Sequence, residues 1–244
     1  MKKLLILFVL ISTMNVNAQE STLLRLNYKK GDSYAIKMEM SQEVGTAMSM
    51  NMTINMSQKI KTVTGSEYTS EMKFTRMEMD MLQGGMSMSY DSSQKDEDLD
   101  EMGKVMKSQM GPILNAVIIV KGNDLGEVLE TKVEPSIPQA NDFANQSSNV
   151  VYPKKKVKVG DTWTFEKKEK NMVMNFIYKV KSITKEKVLL DVSGDVTGMA
   201  SGKVTGSMEI DRKSGVPVLS KINMDLDAGG QNMLTKMTMT ATKN

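Results

Sequence analysis

Cysteine and histidine are both absent from the 244 residues. Without the first, no disulfide, thiolate nucleophile or thiolate-held metal can form. Without the second, the commonest general base and the commonest transition-metal ligand are missing. Aromatic residues amount to 5%, too few for base-stacking platforms. Basic residues are interspersed with acidic ones, so nucleic acid is not an expected partner. Beyond the first residues no apolar run approaches the roughly 20 needed to cross a bilayer, so no transmembrane helix is expected in the mature chain. Carboxylates are plentiful, but no spacing singles out a catalytic pair. The acidic run from Asp96 to Glu101 lacks the alternating ligands and central glycine of a calcium loop and reads as the solvated start of a helix. Together these absences point away from an enzyme, a metal centre and a cofactor.

What is present begins with an export signal. Met1-Lys2-Lys3 is cationic, Leu4 to Ile11 is apolar, and Val16-Asn17-Ala18 places small residues at a cleavage site. Residues 1–18 are therefore expected to be a signal peptide, and the mature chain, periplasmic or secreted, to begin at Gln19. No cysteine follows that would carry a lipid anchor. Lys and Arg total 32 and Asp and Glu 29; losing Lys2 and Lys3 leaves 30 against 29, close to neutral.

Most of the remaining chain alternates apolar and polar residues. Tyr34, Ile36, Met38 and Met40 do so, as do Met48, Met50, Met52, Ile54 and Met56. The pattern returns at Met77, Met79 and Met81, at Met172 to Val180, at Ile222 to Leu226, and at Met237 and Met239. Period two over such lengths means strands with one apolar face. Turn residues such as Gly65-Ser66, Gly84-Gly85 and Gly229-Gly230 join neighbouring runs directly, which makes the pairing antiparallel. One segment differs. Over Lys95 to Met110, Leu99, Met102, Val105, Met106 and Met110 recur at helical spacing. Gly111-Pro112 is expected to end that helix, and Gly103 to soften its middle. A weaker helix is expected between Pro138 and Ser148.

The chain also repeats itself. Tyr28 to Tyr34, centred on Gly31-Asp32, resembles Val157 to Trp163, centred on Gly160-Asp161. Ile60 to Thr64 resembles Val180 to Thr184, and both break the alternation at the same place, as a shared bulge would. Ile119 to Leu129 resembles Ile210 to Leu219, each turning through a glycine, Gly126 or Gly215. In each Gly-Asp pair the carboxylate is expected to bond nearby backbone N–H groups in a tight turn, with Trp163 anchoring the second core. The expected fold is mainly β: duplicated antiparallel curved sheets, half-barrel-like, with one amphipathic helix. The first unit spans residues 19–133 with the helix near 95–110, a linker spans 134–152, and the second unit spans 153–244. Lys154, Lys155, Lys156 and Lys158 read as a solvated run before a strand. A membrane barrel would need aromatic girdles that this composition lacks.

Methionine is the unusual abundance, at 25 residues. Met sits on strands where Val and Ile are the ordinary choice. Burying one gains roughly 1.5–3 kcal/mol but forfeits up to about 1.5–2 kcal/mol of rotamer freedom. An adaptable apolar surface uses Met better than a rigid core does. The candidate apolar face therefore comprises Met48, Met50, Met52, Met56, Met77, Met79 and Met81, with Leu99, Met102 and Met106 of the helix stripe. The expectation is a non-catalytic exported envelope protein whose partner on this face is an apolar small molecule or lipid; the alternative is a structural or protein-interaction module, with an envelope protein as partner, no ligand, and the methionines as plain core. Soft-metal binding to thioethers ranks third. Met48, Met50 and Met52 line one strand about 6.6–7 Å apart, too far for a single strand to close one ion's shell.

The segments Leu26 to Asp32 and Val157 to Trp163, with their Gly-Asp-x-aromatic motif, and the Met-rich strands resemble an uncharacterised family of exported proteins of Gram-negative bacteria, a domain of unknown function. That resemblance implies export and β architecture and carries over no catalytic residue. By analogy of fold alone, a curved antiparallel sheet with a helix on its apolar face is similar to the periplasmic lipoprotein carriers.

Overall fold

The computed structural model describes residues 20–137, 150–169 and 171–244. The signal peptide at 1–18 and the expected helix between Pro138 and Ser148 lie outside the described residues. In chain order the elements are β1 (Ser21–Thr22), β2 (Ser33–Val44), β3 (Met48–Thr64), β4 (Glu67–Gln83), β5 (Met86–Asp91), a 3-10 turn (Asp96–Asp98) and α1 (Glu101–Leu114). They continue with β6 (Val117–Asn123), β7 (Val128–Glu134), β8 (Val157–Lys158), β9 (Thr162–Glu169), β10 (Met172–Ile183), β11 (Lys187–Gly198), β12 (Ser201–Asp211), β13 (Pro217–Ala228) and β14 (Gln231–Lys243). The protein is mainly β, as the alternation requires.

Two antiparallel meanders make up the sheet. The first runs β2-β3-β4-β6-β7, with β5 paired to the distal half of β4; the second runs β9 to β14. They join edge to edge through β14 and β2, where Tyr34 lies opposite Lys243 and Met40 opposite Met237. The result is a single sheet of twelve strands that does not close, since β7 and β9 stand at its ends.

Strong curvature follows from two hydrogen bonds. Leu26 N–H donates to the Asp124 carbonyl at 2.8 Å, and the next residue, Asn27, donates to the Ser214 carbonyl at 2.7 Å. Asp124 follows β6 and Ser214 follows β12, six strands away in the sheet order. Along a flat sheet that separation would be about 29 Å, at about 4.8 Å per strand. Neighbouring Cα atoms are only about 3.8 Å apart, so the two turns approach to within roughly 10 Å. The sheet therefore curls round until the two turns meet, and residues 20–32 lie across the closed end. A second segment makes the same crossing. Tyr152 N–H donates to the Leu125 carbonyl at 2.7 Å and the Tyr152 hydroxyl to the Gly215 carbonyl at 2.6 Å. Val150 and Tyr152, in the expected linker, are buried in the core of the second meander beside Leu24 and Val157. Their apolar character outweighs the polar sequence that precedes them.

The repeated motifs take the same shape twice. Asp32 accepts from Lys29 N–H at 3.0 Å through its carboxylate, and Asp161 accepts from Lys158 N–H at 3.0 Å. Gly31 N–H donates to the Ile60 carbonyl and Gly160 N–H to the Val180 carbonyl, each at 2.9 Å. Both following strands bulge one residue later, between Ile60 and Thr62 in β3 and between Val180 and Ser182 in β10. Trp163 stacks on Tyr178 with ring centres 5.4 Å apart, and its indole N–H donates to the Val151 carbonyl at 2.9 Å.

The helix differs in detail from the sequence expectation. It starts at Glu101, because Asp100 caps it by accepting from Gly103 N–H at 2.7 Å. Gly103 is thus in the first turn, buried against Leu99, rather than in the middle. The helix does not stop at Gly111-Pro112 but continues to Leu114. Ile113 and Leu114 pack on the core of the first meander, and that burial carries the helix past the proline. With this register Leu99, Gly103 and Met106 are buried, while Met102 and Val105 face solvent, each 48% exposed. Met102 therefore leaves the stripe in which its spacing placed it. No helix among the described residues is long and apolar enough to cross a membrane.

Candidate functional site: a methionine-lined sheet face

Strand pairing turns the scattered methionines into rows that run across the sheet. One row is Met237, Met40, Met52 and Met79, ending at Tyr90, on five successive strands. The next, towards the open end, is Gln42, Met50, Met81 and Met88. A row nearer the closed end runs Met239, Met38, Ile54 and Met77. The outermost joins Met233, Val44, Met48, Gln83 and Met86. All four lie on the same apolar face, because paired residues share a side of the sheet and period two keeps it.

Burial divides this face. At the closed end Ile54 is 1% exposed and Met56 and Met77 6% each, within a core shared with Phe74, Ile118 and Val120. In the second meander the equivalent positions Val188, Leu190 and Ile210 are 0% exposed. Towards the open end the pattern changes: Met40, Met50, Met52, Met79, Met81, Met88 and Met237 are all half-buried. The helix α1 packs on β4 and β5, with Met110, Ile113 and Leu114 against the first core. At the tips, the β2–β3 and β4–β5 turns enclose a cleft of about 740 Å³ lined by Val44, Met48, Gln83, Gly84 and Gln231 among others.

Of the candidate residues, Met48, Met50, Met52, Met79 and Met81 come together on the half-buried part. Met56 and Met77 belong to closed core. Leu99, just ahead of the helix, and Met106, on it, are buried, and Met102 is in solvent. Met40, Met88 and Met237 join the rows without having been candidates. Their alternation was readable, but only the register shows that they abut the others.

The face is neutral. Its polar members include Gln83, Thr235, Tyr90 and Gln42, whose amide donates to the Met233 sulfur at 3.0 Å and to the Thr235 hydroxyl at 3.4 Å. The Tyr90 hydroxyl is buried with no hydrogen-bonding protein group, and burial raises its pKa. Charges sit on the opposite face, as in the Lys37–Glu39 pair at 2.6 Å. At the end of β5, Arg76 grips Asp91 with two donors at 3.2 and 2.7 Å, which holds the Asp91 carboxyl well below the ordinary range. Among the described residues no group of three or more His, Cys, Asp or Glu is placed to hold a metal ion. An uncharged, adaptable, partly open apolar surface can hold hydrocarbon or a soft ligand; it offers no acid–base pair.

No curated protein matches the chain. Residues 143–243 match the model of a family of unknown function (DUF6263), so the stretch running through β8 to β14 is similar to that family, while β2 to β5, which carry most of the methionine rows, lie outside the matched residues.

Proposed function

We propose that the chain is a non-catalytic, exported envelope protein that holds an apolar ligand, a lipid chain, on its methionine-lined face. One observation carries this reading. A single sheet face is largely buried across β11 to β13, where even Val196 and Leu226 towards the open end are 2% and 4% exposed, and around Ile54, Met56 and Met77, yet is left half-buried, with flexible side chains, along β14 and the outer parts of β2 to β4. A chain that needed only a core would extend the Val, Leu and Ile packing of β11 across both regions. Methionine suits ligands of variable shape, since unbranched thioethers repack at little cost. The closed end, pinned by residues 20–32, and the open end, with its cleft, give the curved sheet a direction of entry. The matched Gly-Asp turns and bulges support a duplicated β unit as its origin. Export rests on residues 1–18, and intact mass of protein from the native host should show a chain beginning at Gln19.

The test is mass spectrometry of an organic extract of the natively purified protein. Lipid at near-stoichiometric amount supports the carrier reading. A clean extract favours a protein-interaction module instead, a reading helped by the edge strand β7, where Val128 and Leu129 are 42% and 48% exposed.

A further inference from the structure

On β3 and β4, Met50 lies opposite Met81 and Met52 opposite Met79. Paired strands are about 4.8 Å apart, and residues two apart on one face about 6.7 Å, so the four side chains rise from the corners of a rectangle whose centre is roughly 4 Å from each. A methionine has three rotatable side-chain bonds and can swing its sulfur towards that centre. Met40, beside Met52, and Met88, beside Met81, stand next to the rectangle as further thioethers. One strand alone spaces its sulfurs too widely for a shared ion; the second strand removes that objection.

We propose that Met50, Met52, Met79 and Met81 form a thioether site for one soft monovalent cation, copper(I) or silver(I). Thioethers are soft donors that suit Cu(I). Zinc takes imidazole, thiolate or carboxylate ligands, and calcium and magnesium take oxygen; the rectangle's side chains offer none of these. The site is half-buried, so an ion can reach it, and it needs only a single charge to be desolvated. Empty, the sulfurs are neutral and keep the face apolar, so the site does not depend on the apolar-ligand reading.

Silver(I) is the probe, since it needs no reductant. Titrated calorimetrically into the mature protein in nitrate buffer free of chloride and thiols, it should bind saturably at one equivalent. In the M52L/M79L variant, which nearly conserves core volume, affinity should fall at least tenfold. In M102L/M199L, at residues 48% and 71% exposed outside the rectangle, it should not change. Should circular dichroism show M52L/M79L to be unfolded, M50L and M81L are read singly, each with at least a threefold loss expected. Absence of saturable silver binding, binding undiminished in the rectangle variants, or an equal loss in M102L/M199L overturns the site. Equal binding of zinc(II) overturns its soft-donor basis. Silver binding with a clean organic extract would uphold this site and sink the lipid reading; co-purified lipid without silver binding would do the reverse.

Discussion

Gly215 offers the sharpest test of how the sheet is held closed. Its φ is +70°, and a Cβ added there would lie 1.8 Å from the Arg25 carbonyl oxygen and 2.5 Å from its carbon. Backbone cannot yield as a flexible side chain would, so in Gly215→Ala residues 24–27 must move away. Two hydrogen bonds are then endangered, Asn27 N–H to Ser214 and the buried Tyr152 hydroxyl to Gly215 itself. The buried Tyr152 hydroxyl left unpaired costs about 1–3 kcal/mol, and loss of the bond from Asn27, an exposed residue, about 0.5–1.5 kcal/mol. The left-handed backbone adds about 1–2 kcal/mol for a residue with a Cβ. The sum is about 2.5–6.5 kcal/mol. At roughly 2–4 °C per kcal/mol for a chain of this size, the Tm should fall by about 5–26 °C. Gly229→Ala is the control: φ is +66°, yet nothing lies within 4 Å of its added Cβ. It incurs the backbone strain alone, a loss of about 1–2 kcal/mol. Differential scanning calorimetry of both variants separates the terms. Equal losses in the two would refute the close crossing of the N-terminal segment over the β12–β13 turn.

Three further outcomes follow from geometry. Leu99 is 7% exposed, so Leu99→Asp should destabilise by at least the 2–5 kcal/mol typical of truncating a buried leucine; if the helix lifts while the sheet stays folded, binding of an apolar dye rises, and unchanged melting and dye binding would place the stripe in solvent. Tyr152→Phe should cost about 1–2 kcal/mol in urea denaturation because it orphans the Gly215 carbonyl, whereas Tyr90→Phe removes a hydroxyl with no protein partner and should be neutral or stabilising; the reverse order would contradict the placement of both rings. Asp91 has its pKa depressed below the ordinary 3.8, first by the Arg76 hydrogen bonds and then by Ser93. Its contribution is therefore complete above that value and is lost as pH falls through the lower folded pKa. Asp91→Asn should narrow the gap in denaturation midpoint between pH 7 and pH 3, and an unaltered acid limb would rule the pair out as its cause.

Local periodicity made the strands legible, and the Gly-Asp turns as well, because each depends on residues close in sequence. Asp32 and Asp161 bond backbone groups three residues away, and both bulges show as a break in alternation. The helix was legible as a helix but not in register. Its phase is set by the Asp100 cap and by burial of Ile113 and Leu114, which outweigh the stop signal at Gly111-Pro112. Long-range placement was not legible. Nothing local says that Tyr152 reaches Gly215, or that Met237 lies beside Met40 across 197 residues. The candidate face was readable strand by strand. Its division into core at Met56 and Met77 and open surface at Met50 and Met81 depends on how far the sheet curls, a property of the whole chain.

The pairing of β2 with β14 sets a condition on how the molecule comes into being. Tyr34 waits for Lys243, 209 residues later. A chain emerging N-terminus first, from a ribosome or through a translocation pore, exposes the unpaired edge of β2 throughout that interval, and such an edge invites pairing with other chains. Contacts this distant in sequence also make folding slow. A late step triggered by arrival of the last strand is the natural counterpart of this topology; until β14 docks, the row through Met40, Met52 and Met79 lacks Met237 and ends at the open edge of β2.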